Sequence, residues 1–138
     1  MVRAIMENCC KGFKLVDQRM KIRNEYLPVV SAVELAGYYV TSMPMDGGGD
    51  RIVCADRCRD DGSGLTGNSF WLAESNGKWF LGAWGGQIYR LSGVTAASEI
   101  AISWLTLNSV RTDSDVPDEL KLQYGLCEVS DDDYDALV

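Results

Sequence analysis

The chain has 138 residues, no histidine, and 13 Lys and Arg against 20 Asp and Glu, for a net charge of −7 at pH 7. Its length is that of one domain, and its 46% hydrophobic and 24% charged content is that of a globular rather than a disordered chain. The missing imidazole excludes Ser–His and Cys–His nucleophile pairs, histidine acid–base chemistry and His-ligated metal sites.

In chain order, the N-terminal MVRAIMENCCKGFKLVD has neither the apolar stretch nor the cleavage site of a secretory signal, so no export is expected. A helix is expected at about 24–36, with Pro28 in its first turn and Gly37 as its stop. Tyr38–Met43 and Arg51–Ala55 read as a hairpin, and residues 60–68 as a connecting loop. The clearest local signal is Phe70–Leu91. Asn76-Gly77 is the favoured pair for a type I′ turn, whose two central residues both need positive φ. With a second turn at Gly85-Gly86, this predicts a three-stranded meander at about 69–75, 78–84 and 87–91. A helix capped by Thr95 or Ser98 follows at about 95–107. Asp115 is expected to cap a short helix that stops at Gly125, and Ser130 to cap the terminal DDDYDALV.

The five cysteines, Cys9, Cys10, Cys54, Cys58 and Cys127, are odd in number and lack both a disulfide framework and paired zinc knuckles. Reduced thiols, no bound metal, no cofactor and a cytoplasmic location are the expectations. No run approaches the length of a membrane span, so no membrane association is expected.

Charge is unevenly placed. Residues 111–138 carry two basic and nine acidic side chains, a balance of −7 that equals that of the whole chain. The basic residues near the N-terminus, Lys11, Lys14, Arg19, Lys21 and Arg23, are too few to favour a phosphate backbone, so a protein partner is expected and nucleic acid is not.

Motifs with chemical content are weak. Gly62-Ser63-Gly64-Leu65-Thr66-Gly67 spells G-x-G-x-x-G, but strand-like residues follow it where a dinucleotide site requires a helix. Asp46, Asp50, Asp56, Asp60, Asp61 and Glu74 supply carboxylates without selecting a catalytic pair, and Arg57 and Arg59 stand where a calcium loop places ligands. The meander says more. The type I′ register sets Trp71 across from Gly82 and Ala73 across from Phe80. The second turn, placed at Gly85-Gly86, sets Gly82 across from Tyr89 and Phe80 across from Leu91. One face then carries Trp71, Phe80, Trp84 and Tyr89, the other Phe70, Leu72, Trp79 and Leu81. Both faces are apolar, so either both are covered or one meets a partner.

These readings converge on one α+β domain over residues 1–138, with an acidic C-terminal segment at 113–138. They predict an antiparallel sheet of about five strands with a central meander, packed with an N-terminal helix and a helix near 95–107. The expected function is that of a small acidic cytosolic protein-binding protein, of the kind represented by bacterial toxin-neutralising immunity or inhibitor proteins, acting on a basic toxin domain rather than as an enzyme. Candidate partner-binding residues are Trp71, Trp84 and Tyr89 as aromatic anchors and Asp131, Asp132, Asp133 and Asp135 as a steering charge. The alternatives are a small enzyme or ligand-binding domain using carboxylates or cysteines of the 44–68 loops, and a structural subunit of an assembly.

Overall fold

The computed structural model describes residues 22–44, 49–61, 64–83, 87–108 and 115–137. A 3-10 turn, Asn24–Tyr26, runs into helix α1, Leu27–Leu35, with Pro28 in the first turn. Proline suits that place because the N–H it lacks would have no helical acceptor. Gly37, at φ 93°, leads the chain out of the helix. Strand β1, Tyr39–Pro44, then pairs antiparallel with β2, Asp50–Cys58, as the expected hairpin.

Strand β3 covers Leu65–Ser75 and pairs antiparallel with β2. From local sequence, residues 60–68 read as loop throughout. Pairing across to Arg57 and Cys58 instead draws Thr66 and Leu65 into the sheet. The register shifts between Ala55 and Arg57, which leaves Asp56 at a bulge. Its carboxylate accepts the Asn68 backbone N–H at 3.0 Å and the Asn68 side-chain amide at 3.3 Å. Gly67 has φ 79°, and a Cβ there would collide with the Asp56 carboxylate, so the bulge requires glycine.

Asn76 and Gly77 have φ 51° and 82°, as a type I′ turn demands, and lead into β4, Lys78–Gly82. The register is Trp71↔Gly82, Leu72↔Leu81 and Ala73↔Phe80, as expected from the turn. The next strand, β5 (Ile88–Leu91), requires a correction. It pairs Gly82 with Ile88, Leu81 with Tyr89, Phe80 with Arg90 and Trp79 with Leu91, one residue away from the expected register. The Ala83 N–H donates to the Gln87 carbonyl, so three residues separate the paired ends where a two-residue turn was expected. Because side chains alternate with period two, a one-residue slip moves Tyr89 and Leu91 to the opposite face.

Helix α2, Val94–Asn108, matches the expected helix, but Thr95 and Ser98 lie within it. The Ser98 hydroxyl donates to the Val94 carbonyl and caps nothing. Helix α3, Asp118–Tyr124, has Pro117 at its N-cap without a side-chain cap, and ends at Gly125 in the left-handed conformation. Asp115 is therefore not its cap. Strand β6, Cys127–Val129, was not anticipated. Helix α4, Asp131–Leu137, follows at once, and the Asp133 N–H donates to the Ser130 hydroxyl, the expected cap.

The six strands form one antiparallel sheet in the order β1-β2-β3-β4-β5-β6, and the fold is α+β. Successive hairpins build β1 to β5, and α2 and α3 carry the chain back so that β6 pairs with β5. The main core lies between one sheet face and helices α1 to α3. There Phe70 stacks on Trp104 at 4.3 Å between ring centroids, and Tyr26 meets Trp79 edge-on at 5.6 Å. A second, smaller core of Val53, Trp71, Ala73, Phe80, Ile88 and Tyr134 lies on the other face. Both faces are covered at these residues, as the apolar character of both had allowed.

Candidate functional site

A row of directly paired residues crosses the whole sheet: Thr41, Val53, Trp71, Gly82, Ile88 and Val129. Trp71 is the one large side chain in it. Its indole lies across Gly82, where a Cβ would collide with the ring. Glycine makes a notch in the sheet, and the neighbouring Phe80 forms its second aromatic wall.

Immediately after Val129 the chain turns at Ser130 into α4. Tyr134 of that helix is buried against the notch. Its ring is 5.6 Å from that of Trp71 and 5.2 Å, edge-on, from that of Phe80. The Arg51 guanidinium closes the site. It lies 3.7 Å above the Trp71 ring and 5.2 Å from the Tyr134 ring, and its Nε donates to the Tyr134 hydroxyl at 3.2 Å. A cation stacked on an indole is worth about 1–2 kcal/mol when partly desolvated. Local sequence sets up this arrangement. With Ser130 as the N-cap, Val129 and Tyr134 occupy the flanking positions at which apolar side chains fix the angle of helix entry, and both join the same cluster.

The candidate partner residues are partly brought together. Asp131, Asp132, Asp133 and Asp135 are exposed on α4, and Tyr134 fastens that helix over Trp71. None of the four carboxylates is in an ion pair among the described residues, and the first three lie in the first turn, where the helix macrodipole favours negative charge. Trp71 is 4% exposed and presents no free aromatic surface. Tyr89 is on the opposite face in the main core, so it does not share an anchor with Trp71. Trp84 lies outside the described residues. Arg51 and Tyr134 are the members of this site that the sequence reading missed. The signal for Tyr134 was its place as the one aromatic residue in an acidic run four positions beyond a cap.

Two polar clusters lie elsewhere. Around Arg23, the guanidinium donates to both oxygens of Asp50 at 3.0 and 3.1 Å, to the Glu74 carboxylate at 2.9 Å and to the Glu74 carbonyl at 2.8 Å. Burial acts to lower the Arg23 pKa, but the hydrogen bonds to Glu74 and Asp50 outweigh it and leave it raised. The Tyr26 hydroxyl accepts the Glu74 N–H at 2.8 Å and donates to the Asp50 carbonyl at 3.2 Å. In the second cluster the Tyr89 hydroxyl donates to Asp115, 3.1 Å from each oxygen, and Lys121 Nζ donates to the same carboxylate at 3.2 Å. Burial foremost raises the Tyr89 phenol, and hydrogen bonding to Tyr89 and then Asp115 raises Lys121. These shifts hold both groups in their ordinary protonation states at neutral pH, whereas proton transfer favours a pKa near the working pH. The cluster ties α3 to β5.

Asp50, Asp56, Cys54 and Cys58 of the 44–68 region are similarly engaged. Asp50 binds Arg23, and Asp56 binds Asn68. Cys54 is fully buried, and burial pushes its thiol pKa up. Cys58 is disulfide-bonded, which corrects the expectation of five reduced thiols, while Cys54 and Cys127 are free. Cys9 and Cys10 lie outside the described residues. Among the described residues no group of three or more His, Cys, Asp or Glu gathers to hold a metal ion, and no helix is long and apolar enough to cross a membrane.

Comparison of the chain with protein-family models, with curated proteins and with solved structures finds no match.

Proposed function

We propose that this chain is a protein-binding protein that receives a basic partner on the outer face of α4, in the manner expected of a toxin-neutralising inhibitor. One observation carries the reading. Asp131, Asp132, Asp133 and Asp135 are exposed and outside any ion pair among the described residues, on a helix whose Tyr134 is anchored to the sheet. Unpaired carboxylates on an anchored element make a directed field, and such a field chiefly accelerates encounter with a basic surface. The engagement of Asp50, Asp56, Cys54 and Cys58 in structural contacts weighs against the enzymatic alternative in the 44–68 region. A cytoplasmic location was expected from the missing secretory signal and from reduced thiols, and the Cys58 disulfide removes the second of these supports, since such bonds persist in oxidising compartments.

The test is kinetic. A stoichiometric partner isolated on the immobilised chain is measured against wild type and against the combined Asp131→Asn, Asp132→Asn, Asp133→Asn and Asp135→Asn variant. Association at low ionic strength should slow by about tenfold or more and lose most of its salt dependence, with dissociation little changed. Association that is unaffected at low salt would remove the charged helix from the binding surface.

A further inference from the structure

We infer that the notch formed by Arg51, Trp71, Phe80 and Gly82 is a binding site for a tyrosine carried on an acidic segment. Helix α4 is its occupant within the chain, on a strap that can leave and be replaced by the same segment of a second copy. The charge-steering reading concerns the outer face of α4 while the helix is docked, and this inference its underside and its release.

Three observations carry it. The first is how the helix is held. Of the α4 side chains described, Tyr134 is buried and Asp131, Asp132, Asp133 and Asp135 are exposed. A helix of seven residues is too short to persist by itself. Among these described side chains Tyr134 is therefore the anchor, and elements of low local stability open without unfolding the rest.

The second is that the notch is built for the side chain it holds. Trp71 and Phe80 supply two aromatic walls, and Gly82 supplies the depth, since any larger residue would displace the indole. Arg51 distinguishes the phenol, with its guanidinium near the ring and Nε 3.2 Å from the hydroxyl. An apolar side chain would fill the walls and leave that donor without its acceptor. The same cation lies beside Tyr134 on a helix bearing four carboxylates, and like charge disfavours a basic segment there.

The third is the hinge. Ser130 alone separates β6 from α4. A connection this short joins an element paired in the sheet to one held by a side chain, so α4 can swing away while β6 stays paired with β5. The segment of a second copy would then make contacts identical to those seen within the chain, which is the low-cost route to exchange.

The test uses the full chain carrying Tyr134→Ala, titrated with a synthetic peptide of residues 127–138 and followed through the indole N–H resonances. The variant should bind the peptide saturably, and the wild-type chain, whose notch is filled, should bind it at least about tenfold more weakly. Adding Arg51→Gln should weaken peptide binding by about tenfold, and a Tyr134→Phe peptide should bind several-fold more weakly. Should Tyr134→Ala fail to fold, hydrogen exchange of the wild-type chain decides. The amides of α4 should exchange at least about tenfold faster than those of Leu72 and Leu81, and Arg51→Gln should accelerate α4 alone. A folded Tyr134→Ala chain that ignores the peptide, equal binding to both chains, or α4 amides that exchange only with the whole sheet would each overturn the inference.

Discussion

Trp71 lies across Gly82, its directly paired neighbour on the adjacent strand, so closely that a Cβ at position 82 would collide with the indole. Gly82→Ala must therefore displace a tryptophan that is 4% exposed and carries Arg51 on its other side. Overpacking of this kind costs about 3 kcal/mol. Urea unfolding should show that loss, and Trp71→Leu in the same chain should recover part of it, giving non-additive changes in a double-mutant cycle. Additive effects would mean that the two residues do not share the space described.

Arg23 joins the start of the described chain to both hairpin ends through Asp50 and Glu74. The Glu74 side chain is 6% exposed and that of Arg23 39%. Arg23→Ala leaves the carboxylate buried without its cation, and partial exposure of the arginine moderates the effect to about 2 kcal/mol. Glu74→Gln added to Arg23→Ala should cost less than the two single losses together, because the stranded charge is gone. Thermal unfolding of the four chains at pH 7 checks this.

Tyr26 gives the fold a defined alkaline weakness. Burial foremost pushes its phenol from the ordinary 10 up to about 12, against the lowering effect of the Glu74 backbone N–H. Below pH 10 both native and unfolded states keep the proton and the contribution is complete. Between pH 10 and 12 the unfolded state releases it first, so stability falls as pH rises, by about 2–3 kcal/mol across that window. Tyr26→Phe should be less stable at pH 7, because the Glu74 N–H and Asp50 carbonyl lose a partner, yet should show a flatter decline from pH 10 to 12. Parallel curves for the two chains would show that Tyr26 is not the source.

The Cys58 disulfide has a simple chemical readout. Of five cysteines, Cys58 and its partner are oxidised, so the denatured, unreduced chain should offer no more than three free thiols, where a fully reduced chain offers five. Reduction should also lower the unfolding midpoint, with a loss of about 2–4 kcal/mol. Five titratable thiols in protein kept from reductant would exclude the bond.

What could be read from the sequence was what neighbouring residues decide. Asn76-Gly77 specified the turn, the turn specified the register, and so Trp71 was placed on Gly82 without any distant contact. Pro28, Gly37, Gly125 and Ser130 marked helix ends because they act on their own backbone. The acidic C-terminal segment was visible as composition. The tertiary structure decided whatever depends on residues far apart in the chain. Leu65 and Thr66 became strand because β2 lay alongside, overriding a glycine-rich stretch. The connection after Ala83 took one more residue than Gly85-Gly86 implied, and that slip carried Tyr89 away from Trp71. The site that remains joins Arg51, Trp71 and Tyr134, from β2, β3 and a helix 63 residues beyond Trp71. Burial and cation–aromatic attraction have no signature in local spacing, so only the folded chain could show that its most acidic helix is fastened to the sheet by the single tyrosine in its midst.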